Sequence, residues 1–225
     1  MDARVWEIIT EAFGKVLIAG IQVTIPMTIL SFAFGLLIAV IVALIQYGKV
    51  PVLKEICRFY IWLIRGTPLL VQLYIIFYGL PALGFRVDPF WTAVVAFSFC
   101  EGAYMSETLR GSLEAVPNGQ TEAGYCIGMN FVQIMWHIVL PQAFRTAFPA
   151  LGNSLISLVK DTSLAANITV VEMLMTTQRI AGTTYVFLPL YITVAIVYLI
   201  FCTVITFLQK RIEKRLNRYQ AKEIW

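Results

Sequence analysis

The chain has 225 residues, 59% of them hydrophobic and only 13% charged, with a mean hydropathy of +0.78 and a net charge of +4. That balance excludes an ordinary soluble domain and predicts an all-α integral membrane protein, a single transmembrane domain over residues 1–225. The basic excess gathers at the ends of apolar runs, which excludes nucleic acid as a partner and marks the cytoplasmic side of a bilayer.

Residues 1–15 repeat Val5, Trp6, Ile9, Ala12 and Phe13 at helical spacing against Arg4, Glu7 and Glu11. They predict a short amphipathic helix at the membrane interface. The acidic start is unlike the basic, cleavable leader of a secreted protein, so no segment is expected to be removed. The first span is expected from Val16 to Ile45, longer than the roughly 20 residues a bilayer needs, with a kink at Pro26. An amphipathic segment carrying Lys49, Lys54, Arg58 and Arg65 leads to a second span over Thr67–Leu80, lengthened by the apolar residues Phe59–Ile64. Arg65-Gly-Thr-Pro68 is read as its sharp entry, with a structural role.

The third span covers Phe90–Ser106, interrupted by Glu101, and emerges at Glu107 and Arg110, three apart and expected to pair. A fourth, Ile138–Lys160, holds too many polar residues to face lipid along its length. Residues 161–185 form a mixed connection, Val186–Leu208 is the last and most apolar span, and a basic helical tail runs from Lys210 to Trp225. An outside N-terminus leaves twelve Lys and Arg residues inside and five outside. The chain therefore reads as five transmembrane helices, N-terminus out and C-terminus in.

This orientation places Pro117–Pro141 in the cytoplasm, a stretch too polar to span yet rich in Tyr125, Ile127, Phe131 and Trp136. It reads as a coupling-helix loop pressed against another protein, bounded by its two prolines, with Gly124 and Gly128 allowing close backbone approach on one side. Cys57, Cys100, Cys126 and Cys202 lack metal or redox spacing and are expected to be free thiols. The single histidine, His137, has no ligand partner at suitable spacing, and no metal is expected. No phosphate-cradling Gly-x4-Gly-Lys-Ser/Thr loop is present, and Gly14-Lys15 is followed by valine, so ATP and magnesium would have to be bound by a partner.

From Glu122 the loop reads Glu122-Ala123-Gly124, three residues, Gly128, nine residues, then Ile138-x-Leu140-Pro141. This resembles the EAA loop of ATP-binding-cassette importer permeases, with Gly124 replacing the usual third-position alanine. Arg65–Leu73, Gly102–Gly111, Pro117-x-Gly-Gln120 and Lys160–Ala165 resemble the polar amino acid uptake group, and the likeness covers about residues 15–215. It implies a multi-pass permease of the prokaryotic inner membrane that moves a polar amino acid inward by alternating access. The implied partners are a second permease subunit, the same chain or a similar one, two ATPase subunits, an extracytoplasmic solute-binding protein and membrane lipid. Glu122, Ala123, Gly124, Gly128, Ile138, Leu140 and Pro141 would form the ATPase-coupling element, and this chain would hold no cofactor and catalyse nothing itself.

Within the spans, Ser98, Glu101, Tyr104, Met105 and Thr108 fall in one helical stripe of roughly 120°. A carboxylate in a bilayer normally faces a cavity or a partner, so Glu101 is the leading countercharge for an amino acid's ammonium, against an alternative role as an ion-pair partner of a neighbouring helix or the second subunit, for instance through Lys160. Asn153, Ser157 and Lys160 line one side of the fourth span. The resemblance extends the substrate path to Lys160, Asp161, Thr162 and Ser163, where helix capping is the alternative for the last three. An ion-coupled transporter or channel is the competing function, disfavoured by the lack of paired internal repeats. An intramembrane enzyme lacks a catalytic cluster in the spans.

Overall fold

The computed structural model describes residues 3–48 and 51–216. Lys49 and the tail beyond Leu216 lie outside the described residues. Among the described residues ten α-helices follow one another: α1 (Ala3–Ala19), α2 (Ile25–Tyr47), α3 (Leu53–Arg65), α4 (Leu69–Ala82), α5 (Pro89–Glu114), α6 (Asn118–Cys126), α7 (Phe131–Ile134), α8 (Leu140–Asp161), α9 (Met173–Thr184) and α10 (Phe187–Leu216). A tight 3-10 stretch, Thr162–Ile168, follows α8. Among the described residues there is no strand.

The two prolines expected to kink or end helices do something subtler. Proline lacks an N–H and its ring crowds the carbonyl four residues back. Ahead of Pro26 the backbone widens into a π turn, Gly20–Thr24, in which the Ile25 N–H reaches the Gly20 carbonyl. Ahead of Pro141 the same occurs over Met135–Val139, with the Leu140 N–H on the Met135 carbonyl. Each wider turn keeps the helix continuous where an α-helical register would lose a bond. Two expectations are thereby corrected. The N-terminal amphipathic segment is not a separate interfacial helix, because α1 and α2 form one 45-residue apolar rod. Its Ala12 packs with Ala181 and Leu190. Pro141 is likewise no boundary, because helix continues through it into α8.

The second span is also reshaped. The axes of α3 and α4 meet at 101°, so Phe59–Ile64 do not lengthen a straight span. The corner at Gly66–Pro68 is held by the Gln72 amide, which donates to the carbonyls of Ile64 (2.8 Å) and Thr67 (3.1 Å). By length and hydropathy alone, α1–α2 and α10 each suffice to cross a bilayer, and two bent pairs, α3 with α4 and residues 131–168 with α9, could each make one more.

Helix α5 is the centre of the bundle. It starts sharply because Asp88 caps it, accepting from the Trp91 N–H at 3.0 Å, with Pro89 in the first turn. Its 26 residues could extend about 39 Å, but Ser98, Glu101 and Ser106 make it too polar for a lipid-facing span. The fold resolves this by burying all three. Phe97 of α5 meets Met27, Leu73, Leu158 and Ile168 in the largest apolar cluster, joining α2, α4, α8 and the 3-10 stretch. Small side chains at Ala39, Ala93, Ala96 and Ala103, all essentially buried, let these backbones approach closely.

Candidate functional site

The stretch expected to form a coupling loop is two helices folded on each other. Helix α6 ends at Cys126, the chain turns at Gly128, and Asn130 opens α7 with a reciprocal cap: its side chain accepts from the Gln133 N–H at 3.0 Å while its own N–H donates to Gln133 Oε1 at 2.8 Å. The signature residues divide by facing. Gly124 is buried, and a Cβ there would lie 2.8 Å from Ile134 Cγ1 and 3.2 Å from Ile138 Cδ1. Behind it, Ile134, Met135 and Val139 join Ala43, Leu113 and Ala143 in a core, with Leu140 against it. Glu122 and Ala123 are exposed. So are Tyr125, Ile127, Phe131, Val132 and Trp136, the last at 70%. On a stretch too polar to span, a group of large apolar side chains this exposed around one carboxylate is suited to a protein-binding surface.

Gly128 requires a correction. Among the described residues no neighbour lies within 4 Å of a Cβ placed there, but its φ is +82°, so within this chain the residue is needed for its left-handed backbone, while Gly124 alone of the two makes a close approach. Asparagine tolerates that region and β-branched residues do not. Under the ATPase coupling that the resemblance implies, Gly128→Asn is therefore expected to retain most binding-protein-stimulated ATPase activity, and Gly128→Val to lose most of it. Equal effects of the two would refute the backbone explanation.

The second feature is a cavity of about 770 Å³ walled by the α3–α4 corner, α5 and α8. Glu101, Tyr104, Asn153, Ser157 and Asp161 all line it. Glu101 is 92% buried, its relative exposure being 8%, and its Oε2 has no hydrogen-bond partner among the described residues. Other predicted path residues are elsewhere. Ser98 is buried and donates to the Val94 carbonyl at 2.6 Å, while Thr162 is buried and donates to Val159 at 2.7 Å. Both spend their hydroxyls on their own helical turn. Lys160 and Ser163 line a separate groove between α8 and α10, beside Tyr198 and Cys202. In the predicted α5 stripe, Met105 is fully buried while Tyr104 is 44% exposed.

The structure adds Arg65 and Thr67 to the cavity wall, which the sequence reading left as structural entry residues. The Arg65 guanidinium lies 5.1 Å from the Tyr104 ring centre and 4.0 Å from Glu107 Oε2. Glu107 takes two hydrogen bonds from Arg110, at 2.9 and 3.1 Å, and Arg110 holds Glu114 at 2.8 Å. The Arg110 hydrogen bonds keep Glu107, beyond the predicted end of the span, below the ordinary carboxylate range against partial burial. A ladder of alternating charge thus runs from the cavity wall toward the start of α6. The clue available in sequence was a lone arginine at the mouth of an apolar span, where an idle cation would be expensive. Glu172 was also missed. Fully buried, it caps α9 by accepting from the Met175 N–H, and it accepts the Tyr198 hydroxyl, both at 2.7 Å.

An apolar helical bundle around a polar cavity is the architecture of a multi-pass membrane permease. The chain belongs to the family described as the binding-protein-dependent transport system inner membrane component, whose profile matches residues 35–218. It is 48% identical to the L-cystine transport system permease protein TcyB of Bacillus subtilis (strain 168), covering 96% of this chain and 93% of that one. It is 33% identical to the arginine transport system permease protein ArtQ of the same organism, over 89% and 92% of the two chains. Among solved structures, a crystal structure of an amino acid ABC transporter with histidines matches with a TM-score of 0.85 and 31% identity, covering 96% of this chain and 99% of that one. The MetNI methionine ABC transporter, at 19% identity and a TM-score of 0.75 over 96% and 99% of the two chains, shares the fold.

Proposed function

We propose that this chain carries a polar amino acid across the membrane and that the cavity between the α3–α4 corner, α5 and α8 is the resting place of the amino acid in transit. The observation that carries this reading is the presence of opposite charges in one cavity: Arg65 on one wall, and on others Asp161 and the carboxylate of Glu101, whose Oε2 has no hydrogen-bond partner among the described residues. A zwitterion supplies both complements, its carboxylate to the Arg65 fork and its ammonium to Glu101. Tyr104 keeps the guanidinium in place while the site is empty. Asn153, Ser157 and Thr67 offer neutral hydrogen bonds to the remainder of the substrate.

In this reading the protein crosses the membrane five times: α1–α2, the bent α3–α4, α5, α8 and α10, with α9 as an outer connection. The N-terminus is outside, and α6 lies in the cytoplasm of a prokaryotic cell. ATP and magnesium are bound by two ATPase subunits that press on α6 through Glu122 and the exposed apolar side chains around it. A second permease subunit completes the path, and an extracytoplasmic solute-binding protein delivers the amino acid.

The test is uptake of labelled amino acid by the assembled transporter in proteoliposomes, with ATP inside and binding protein outside. This reading requires ATP-dependent accumulation and would be overturned by uptake driven by an ion gradient without ATP. The Arg65 assignment makes a sharper demand. A charged hydrogen-bonded pair contributes about 1.5–3 kcal/mol, so Arg65→Gln should weaken the apparent affinity about 10- to 100-fold. It should also abolish discrimination against the corresponding decarboxylated amine as competitor. Discrimination that survives the substitution would remove Arg65 from the site.

A further inference from the structure

Helix α3 turns two different chemistries outward. Leu53, Ile56, Phe59 and Leu63 are all exposed, and at 100° per residue they fall within about 120° of one another. Lys54 and Arg58, about 40° apart, lie beyond the buried strip of Cys57 and Ile61. Trp62, also exposed, stands between the cations and Phe59. With α4 crossing the bilayer as proposed above, the 101° corner lays α3 nearly along the membrane surface. A helix so placed sinks its apolar side among acyl chains and keeps its cations at the level of the headgroups.

The cations also face a cavity. Lys54, Arg58 and Trp62 wall a space of about 880 Å³ together with Glu107, Arg110 and Glu114 at the end of α5. Three cations thus stand against two carboxylates, and one cation holds both: Arg110 meets Glu107 at 2.9 Å and Glu114 at 2.8 Å. Lys54 has no ion pair among the described residues. The only ion pair of Arg58 among them is with Glu55, one turn away on the exposed side of the same helix, at 2.7 Å, a kind of contact that contributes little in water.

We infer that this cavity binds an anionic phospholipid, its phosphate held by Lys54 and Arg58 and its acyl chains lying along Phe59 and the apolar face of α3. Surplus positive charge and exposed apolar surface belong to one helix at one depth, so the ligand that satisfies both is an amphiphile with a negative head. A soluble anion would leave Leu53, Ile56 and Phe59 uncovered, and a neutral lipid would leave the cations unmatched. The site has no lining residue in common with the substrate cavity and depends on the function proposed above only for the course of α4. Asn118 of α6 and Phe131 of α7 line it too, which places the headgroup against the proposed coupling element.

The test is native mass spectrometry of the assembled transporter, purified in detergent and supplied with dioleoyl-phosphatidylglycerol or with dioleoyl-phosphatidylcholine, which has the same chains and no net charge. Wild type should retain the anionic lipid in preference to the neutral one. Each Lys or Arg near an anionic surface strengthens the attraction about fivefold, so Lys54→Gln with Arg58→Gln should lower that preference about 10- to 30-fold. Lys54→Arg with Arg58→Lys keeps both charges and should keep the preference. Lys210→Gln with Arg211→Gln removes as much charge from the exposed end of α10 and should leave it nearly unchanged. Only intact complexes are read, so loss of the fold is not mistaken for loss of the site. An equal loss from the α10 substitutions would reduce the effect to general surface charge and overturn the site, as would a wild-type protein without anionic preference. Displacement of the lipid by an equal concentration of glycerol 3-phosphate would overturn a phospholipid as the occupant in favour of a soluble anion. The substrate cavity stands or falls separately, on uptake and amine discrimination.

Discussion

Glu101→Gln should abolish uptake while leaving the empty protein at least as stable as before. The opposite signs follow from how the residue is held. Its carboxylate is buried on α5, and Oε2 has no hydrogen-bond partner among the described residues, so the resting fold carries the cost of placing an acid in the bilayer, about 2.5–3.5 kcal/mol on insertion scales, without a compensating contact. A neutral amide of the same shape relieves much of that cost. Unfolding of the solubilised, substrate-free protein should therefore stay at the wild-type temperature or move upward. Transport should respond in the other direction, because the ammonium would enter a desolvated cavity without its counter-charge. Removing one member of a buried ion pair costs about 3–5 kcal/mol, equivalent to a loss of roughly 10²–10⁴ in apparent affinity. A purely structural role reverses the pattern: Glu101→Gln would then lower the unfolding temperature and spare uptake in the surviving protein. Measuring both quantities on one preparation distinguishes the two roles, and Glu101→Asp, which keeps the charge but shortens its reach, should fall between wild type and the amide.

The parts of this protein legible in its sequence were those governed by local rules. Hydropathy located the apolar runs, and the polarity of the stretch around Glu122 and Gly124 marked it as one that does not span but forms short helices with an exposed face. Glu101 stood out because an acid inside an apolar helix is costly wherever that helix goes. What remained hidden depended on contacts between segments far apart in the chain. Arg65 became part of the cavity only when a 101° corner turned it toward Tyr104 and Glu107 of α5. Ser98 and Thr162 share a helical stripe or a motif with cavity residues, but their hydroxyls are satisfied by carbonyls one turn back, an outcome that periodicity does not distinguish from ligand contact. The prolines misled for a related reason. Proline forbids one hydrogen bond, and whether the chain then bends, stops or widens by one residue is decided by the packing around it. At Pro26 and Pro141 it widens.

The proposed coupling element gives the second large effect. Gly124→Leu should uncouple ATP hydrolysis from transport, and the reason is steric. A Cβ at Gly124 would lie 2.8 Å from Ile134 Cγ1, closer than side chains approach, and a leucine adds three further carbons in a space that Ile134 and Ile138 already fill. Overpacking of this kind costs about 1–3 kcal/mol or more. The least expensive relief is for α6 to tilt away from α7, because α6 is otherwise exposed along most of its length while the bundle behind it is closely packed. Such a tilt moves Glu122 and Tyr125 relative to Trp136, changing the exposed surface proposed above to meet the ATPase subunit, without disturbing the spans. The mutant should therefore insert and purify normally but lose binding-protein stimulation of ATPase activity, with uptake reduced at least about tenfold. Gly124→Ala should produce a partial loss, and adding Ile134→Ala, which removes the clashing carbons, should recover part of it. Two substitutions in contact that offset each other are the signature of a shared packing constraint. A double variant no better than the worse single one would show that the glycine serves something other than room for Ile134. A Gly124→Leu protein with normal stimulated ATPase activity and uptake would remove the seating of α6 on α7 from the coupling mechanism.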